Sequence, residues 1–141
     1  MVLAPGSGPE LVQKVVEVSP ADTPEFTSVA TYLPVRKWRH VISFFRMSGR
    51  VEQQLRRTEG VVRYGLKTDF RHKRFWTYSV WKNRQAIRPF VESEPHATAV
   101  KKFVRWAGEG AAFVQWNNND GKVDWEEANR RLKNPTFYYR K

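Results

Sequence analysis

The order of strand-like and helix-like segments constrains the fold of this 141-residue chain more than any other feature. Residues rich in β-branched and aromatic side chains lie at 26–35, 61–68, 74–81 and 111–116, which predicts four strands. Apolar residues recur at three- and four-residue steps over 37–57, and two shorter helices are predicted over 83–91 and 93–107. The order strand, helix, strand, strand, helix, strand predicts an antiparallel sheet with helices on one face, the ferredoxin-like plan of the α+β class.

The predicted strands and helices form one domain, with a segment on each side of it. We expect an N-terminal arm at 1–25, partly flexible because of its prolines and glycines, a domain at 26–133 and a C-terminal tail at 134–141. Residues 11–18 fit either a short strand or part of the arm. A last short helix is expected from Asp124, with Glu127 placed for a capping box.

The second face of the sheet predicts a homodimer. The strand at 74–81 (RFWTYSVW) carries aromatic side chains on both faces, which is typical of a strand covered on both sides. The predicted helices cover only one face and leave the other apolar face bare. Because a monomer rarely exposes such a surface, we expect two sheets to pack face to face and to close a barrel-like dimer.

Composition excludes several chemistries. The chain has no Cys, which excludes disulfides, thiolate metal sites and cysteine nucleophiles. No pair of His has helical spacing, so no metal site is predicted. No apolar run is long enough for a membrane span, and the first residues lack the pattern of a secretory signal. A cytoplasmic location is therefore expected.

The net charge of +11 makes polyanions candidate partners. Basic residues alternate with aromatic ones at 36–40 and 71–76, a pattern that also suits phosphate contacts and base stacking. Trp38, however, falls on the predicted buried stripe of the first helix, together with Val41, Ile42 and Phe45. The sequence therefore favours a solvated basic surface over a nucleic-acid partner.

Residues 77–103 (TYSVWKNRQAIRPFVESEPHATAVKKF) resemble the antibiotic biosynthesis monooxygenase-like families. The resemblance rests on a strand that ends with Ser79, Val80 and Trp81, an aromatic residue at Phe90, and His96 at the start of the next helix. The segments EGVVRYGLK (59–67) and FVQW (113–116) are similar to the second and fourth strands of these families. The resemblance covers residues 26–128 and implies the dimeric α+β barrel fold.

The resemblance also implies a function class. It favours a monooxygenase-like protein that acts on an apolar aromatic or polyketide-type molecule, in a pocket between the sheet and the helix that starts at His96. In the cofactor-free members the substrate itself supplies the electrons to oxygen, so no external cofactor is required. Haem or another tetrapyrrole is the alternative guest, although the haem-ligand position of the haem-degrading members falls near Val100, which cannot bind iron. A non-catalytic small-molecule binding protein is a further alternative.

His96 is the candidate catalytic residue, as a general base or as a group that orients the substrate. A structural His that only hydrogen-bonds its surroundings is the alternative. The candidate substrate-binding residues are apolar or aromatic side chains on the strands and helices around it: Tyr64, Trp76, Tyr78, Trp81, Phe90, Val100, Phe103 and Trp116. The same rings also suit the packing of a core between two sheets.

Overall fold

The computed structural model describes residues 2–3, 11–18, 26–118 and 120–139. The strands are β1 (Val2–Leu3), β2 (Leu11–Glu17), β3 (Phe26–Pro34), β4 (Val61–Asp69), β5 (Arg74–Trp81), β6 (Ala112–Asn118) and β7 (Phe137–Tyr138). The helices are α1 (Trp38–Arg56), α2 (Ile87–Glu92), α3 (His96–Trp106) and α4 (Trp125–Leu132), with a 3₁₀ turn (Arg84–Ala86) before α2. The predicted flexible arm falls mostly outside the described residues.

The strands form one antiparallel sheet in the order β1-β2-β4-β5-β3-β6-β7. Its centre, β4-β5-β3-β6, is the predicted ferredoxin-like sheet, and this fold class is confirmed. Leu11–Glu17 is a strand, paired along its whole length with β4. Of the two interpretations of residues 11–18, the structure therefore has the strand, which adds to the edge of the predicted sheet.

Three helices pack on one face of the sheet. α1 buries Val41, Phe44, Met47 and Leu55. The ring of Phe44 lies 4.5 Å from that of Phe75 on β5, so α1 packs directly on the central strand. Asn83 caps the 3₁₀ turn through a 3.0 Å bond from the backbone N of Ala86. α2 then spans six residues and contains Pro89, which is consistent with its short length.

The predicted buried stripe of α1 is wrong at three positions. Trp38, Ile42 and Phe45 are 55%, 68% and 38% exposed, whereas Val41 and Phe44 are buried. A helix turns by about 100° per residue, so the contact line through Val41 and Phe44 directs Ile42 away from the sheet. Phe45 lies at the edge of the contact, with its ring 5.2 Å from that of Phe75. The apolar stripe is wider than the surface against which α1 packs.

The other face of the sheet is partly covered, which corrects the expectation that it is bare. α4 packs across it, and its Trp125, Ala128 and Leu132 contact a core that contains Tyr78 and Trp116. Asp124 caps α4 by accepting from the backbone N of Glu126 at 3.1 Å and of Glu127 at 3.2 Å, as predicted for the helix start. No helix in the described part of the chain is long and apolar enough to cross a membrane.

A glycine in β4 explains how α4 approaches the sheet so closely. A Cβ at Gly65 would lie 3.1 Å from the Trp125 ring and 3.3 Å from Val123. A Cβ at this strand position would also lie 3.2 Å from the backbone O of Lys14, so a side chain there would require its neighbours to shift by a few tenths of an ångström. The sequence has a glycine inside a strand because another element packs there.

Candidate functional site

The imidazole of His96 lies at the start of α3, against the ring of Phe90. The His96 and Phe90 ring centres are 4.8 Å apart, and Phe90 contacts Trp81 of β5 at 5.4 Å. The buried Trp81 indole donates from Nε1 to Ser79 Oγ at 2.8 Å. Three of the predicted site residues therefore form one chain of contacts on the helix-covered face.

A hydrogen bond to the backbone determines which nitrogen of His96 carries a proton. Nδ1 lies 3.2 Å from the backbone O of Val91. A carbonyl oxygen only accepts, so Nδ1 donates, and the neutral ring has its lone pair on Nε2. Burial lowers the pKa of His96 below 6.5, against the smaller raising effect of the Val91 carbonyl. His96 is therefore neutral at neutral pH, with Nε2 able to accept a proton.

Gln54 of α1 connects the end of α2 to the start of α3. Its Oε1 accepts from the backbone N of His96 at 2.9 Å, and its Nε2 donates to the backbone O of Phe90 at 3.0 Å. No side chain at the N-cap position of α3 makes a capping bond, and Gln54 supplies the missing acceptor. Sequence reasoning missed Gln54, because no local motif distinguishes it from its exposed neighbour Gln53.

A groove of about 480 Å³ opens between the C-terminal half of α1 and the α2–α3 segment. The groove is open to solvent, and seven of its ten lining residues are polar or charged. Of the lining residues, only Phe90 is buried, so its ring forms the base of the groove. The lining consists of Arg50, Gln53, Gln54, Arg57, Thr58, Pro89, Phe90, Ser93, Glu94 and Pro95.

The groove is displaced from the expected pocket, which was placed between the sheet and α3. Tyr64, Trp81, Leu55 and Phe90 pack together in the corresponding space and are at most 9% exposed. His96 does not line the groove. Its ring contacts Phe90, which is one of the lining residues. The sequence placed the helices correctly, but it could not show how completely their side chains fill the space over the sheet.

The remaining candidate residues are divided between the two faces. Phe103 is buried on the helix-covered face, in a separate cluster with Phe44 and Phe75, and Val100 lies half-buried on α3. Trp76, Tyr78 and Trp116 lie on the opposite face, where the Tyr78 and Trp116 rings are 5.4 Å apart. The structure therefore brings Trp81, Phe90 and His96 into contact with one another, with only Phe90 lining the groove, and separates the other three rings from them.

The hydroxyl of Tyr64 belongs to a polar network. It donates to Glu52 Oε2 at 2.5 Å and accepts from Arg56 Nε at 2.8 Å. Burial, together with the Glu52 carboxylate, raises the pKa of Tyr64 to about 12. Lys14 of β2 also binds Glu52 Oε2, at 2.7 Å. These bonds join β2, α1 and β4 and leave the Tyr64 hydroxyl committed to side chains of the chain itself.

The residues around His96 fit a haem poorly in this arrangement. A porphyrin needs a flat open space at its axial ligand, whereas the His96 ring is packed against Phe90, and Trp81 lies directly behind Phe90. Val100, one turn further along α3, offers no ligand atom. Among the described residues there is also no group of three or more His, Asp or Glu side chains that could hold a metal ion.

Comparisons with known proteins place the chain by its fold. No protein-family model and no curated protein sequence matches it. Among solved structures, an antibiotic biosynthesis monooxygenase is similar with a TM-score of 0.58 and 14% identity, over 64% of this chain and 95% of that chain. The predicted resemblance to the antibiotic biosynthesis monooxygenase-like proteins is therefore confirmed at the level of the fold.

Two further similar structures have different chemistries. SnoaB, a cofactor-independent oxygenase from Streptomyces nogalater, has a TM-score of 0.52 and 15% identity, over 72% of this chain and 97% of that chain. LmHde, a heme-degrading enzyme from Listeria monocytogenes, has a TM-score of 0.53 and 15% identity, over 63% of this chain and 59% of that chain. The shared fold hosts both activities, so the function has to be argued from the site.

Proposed function

We propose that this protein is an oxygenase of the antibiotic biosynthesis monooxygenase-like kind, which acts without external cofactor on an aromatic molecule that carries an acidic group. The observation that carries the proposal is the groove between α1 and α2, with an aromatic base and a basic rim. The fold is similar to that of a cofactor-independent oxygenase, which supports the reaction class. The acidic group extends the apolar substrate expected from the sequence.

The groove supports a flat, partly apolar ligand. The Phe90 ring is its base, and Pro89 and Pro95 add apolar surface beside it. Arg50 and Arg57 contribute two positive charges to the lining, against one negative charge from Glu94. A carboxylate or phenolate on the ligand can pair with a guanidinium, while the ring system packs on Phe90.

His96 is the proposed general base. Nε2 takes a proton from an activated CH₂ group of the substrate, and the resulting carbanion reduces O₂ and bonds to it. The protonated His96 returns its proton to the peroxide anion, and the resulting hydroperoxide loses water and leaves a carbonyl, so CH₂ and O₂ become C=O and H₂O. Since Phe90 lines the groove and contacts His96, which does not line it, the proposal requires the Phe90 ring to turn aside when the substrate enters.

Oxygen uptake with 1,8-dihydroxyanthrone as the probe tests this function, with formation of the anthraquinone followed by absorbance. His96→Ala should lower turnover by roughly a hundredfold or more, which is the usual contribution of a general base. The matched control is His72→Ala, because His72 is exposed and pairs with Asp69 at 2.9 Å on the β4–β5 hairpin. Unfolding temperatures of both variants show whether each still folds.

Three results would contradict the proposal. Equal turnover in the His96 and His72 variants would place the chemistry elsewhere. Binding of the anthrone without oxygen uptake would support the alternative of a non-catalytic binding protein. A Soret band on haemin titration that disappears in His96→Ala would favour the tetrapyrrole alternative.

The homodimer also remains a proposal. Beside α4 the described residues leave part of the second sheet face uncovered, and Trp76 and Tyr32 lie there half-buried with their rings 5.5 Å apart. Burial of these rings against a second copy would remove apolar surface from water. Light scattering should give twice the chain mass, and a monomer mass at micromolar concentration would contradict it.

A further inference from the structure

The exposed apolar residues of α1 form a surface patch with the β4–β5 hairpin. We call it the apolar patch, and it consists of Trp38, Ile42, Phe45 and Phe70. Ile42 is 68% exposed, Trp38 55%, and Phe45 and Phe70 38% each. None of the four side chains belongs to the groove or to the core clusters of the fold. Large apolar residues that are exposed together mark interaction sites.

The patch is continuous in space. Trp38, Ile42 and Phe45 are spaced by four and three residues, so they lie along one face of α1. The ring of Phe45 stacks on that of Phe70 with 5.3 Å between centres, which joins the helix to the hairpin. Lys73 Nζ lies 5.1 Å from the Trp38 ring, so the hairpin also meets the first turn of the helix.

Basic residues surround the patch. Residues 35–51 contain no Asp or Glu. Of their five Lys or Arg residues, Arg36 donates to the backbone O of Arg105 and Arg50 lines the groove, which leaves Lys37, Arg39 and Arg46 for the patch. The hairpin adds Arg71 and Lys73, and its one acidic side chain, Asp69, is bound to His72. The partner that complements this surface is therefore anionic, with an apolar layer accessible to the exposed side chains.

We infer that the apolar patch binds the surface of an anionic lipid bilayer, with its side chains among the headgroups and the surrounding Lys and Arg on the lipid phosphates. A stripe of Trp, Ile and Phe flanked by basic residues is the pattern of a helix that lies in a membrane interface. Each Lys or Arg near an anionic leaflet adds to the attraction.

Single-stranded nucleic acid is the less suitable partner for this patch. Bases bind by stacking on exposed aromatic faces. The most exposed residue of the patch is Ile42, which has no π-face. Phe45 and Phe70 stack on each other, and Lys73 occupies one face of Trp38. The rings are therefore largely engaged, whereas their edges and Ile42 remain available to lipid.

Flotation of the full chain with phosphatidylcholine vesicles, with and without added phosphatidylglycerol, tests the inference. The chain should bind the anionic vesicles and be released by salt. Ile42→Ser should weaken partitioning roughly tenfold, because the apolar contact is lost while the charge stays. Arg39→Gln with Arg46→Gln should weaken it by twentyfold or more, at about 1 kcal/mol per charge.

Matched controls lie on the opposite face of the sheet. Val15 is 55% exposed there, and Lys122 and Lys133 are exposed near the two ends of α4. Val15→Ser, and Lys122→Gln with Lys133→Gln, should leave vesicle binding unchanged if the patch is the contact.

Several results would overturn the inference. The first is no binding to anionic vesicles, and the second is an equal loss of vesicle binding in the patch variants and their controls. The third is displacement of the chain from the vesicles by a single-stranded oligonucleotide that binds more tightly than the vesicles and requires Trp38 for its binding. A change of molecular mass with Ile42→Ser would instead assign the patch to contact between copies of the chain.

Discussion

Replacing Tyr64 by Phe removes one oxygen atom from the network that joins β2, α1 and β4, and leaves the ring in place. The lost hydroxyl donates to Glu52 Oε2 at 2.5 Å and accepts from Arg56 Nε at 2.8 Å. Hydrogen bonds to charged groups contribute about 1.5 to 3 kcal/mol each. Glu52 keeps its ion pair with Lys14, and the exposed Arg56 can form hydrogen bonds to water instead. We therefore expect the free energy of unfolding to fall by about 2 kcal/mol. The melting temperature should fall by roughly 5 to 8 °C.

The pH dependence of this loss has a definite sign. Burial alone would raise the pKa of Glu52, but hydrogen bonds from Lys14 and Tyr64 outweigh it, and the pKa lies below 4.5. The folded state therefore binds fewer protons than the unfolded state below pH 4.5. The stability that the ionised Glu52 contributes is present above pH 4.5 and is lost as the pH falls further. The difference between wild type and Tyr64→Phe should shrink as Glu52 becomes protonated.

Urea unfolding at neutral pH and below pH 4.5 measures both effects. A double-mutant cycle with Glu52→Gln separates the coupling between the two side chains from the separate effect of each substitution. A coupling free energy near zero at neutral pH would refute the reasoning. So would an equal loss of stability at both pH values, because the network acts through the ionised carboxylate.

Two further predictions concern His96 and α4. Burial lowers the pKa of His96 below 6.5, so the free energy of unfolding should be highest above pH 6.5 and should decline as the pH falls and His96 becomes protonated. Urea unfolding of His96→Gln should show a smaller decline of this free energy over the same pH range. Trp125→Ala should lower the free energy of unfolding by about 2 kcal/mol, because the half-buried indole packs on Gly65 and Tyr78; an unchanged melting temperature would mean that α4 is not docked on the sheet.

The regular elements of the fold could be predicted because their signals are local. The strand at 74–81 has the bounds expected from its aromatic and β-branched residues, and Asp124 caps α4 as its side chain predicted. β2 remained one of two interpretations, since an edge strand is stabilised by its pairing with β4, which no pattern within residues 11–18 reveals. Local sequence therefore predicts which segments form strands and helices better than it predicts which strands pair with each other.

Some of the candidate site residues could have been assigned to the correct face of the sheet from the sequence. Side chains alternate between faces along a strand, so Trp76 and Tyr78 on β5 point away from the face that Trp81 occupies. This alternation alone separates Tyr78 from His96. Gln54 and the groove could not be found in this way, because they arise from the distance between two helices that are 30 or more residues apart in sequence.

The position of α4 limits how two copies of the chain could pack their sheets together. While α4 covers Tyr78 and Trp116, the described residues leave a strip beside it for a proposed homodimer that packs sheet against sheet, and Trp76 and Val15 are accessible there. Lys67 lies in the same strip, with Nζ 5.2 Å from the Trp76 ring. A full face-to-face dimer would require α4 to leave its own sheet, which would uncover Tyr78. The strip therefore favours a smaller, partly basic interface over a closed barrel built from two complete sheet faces.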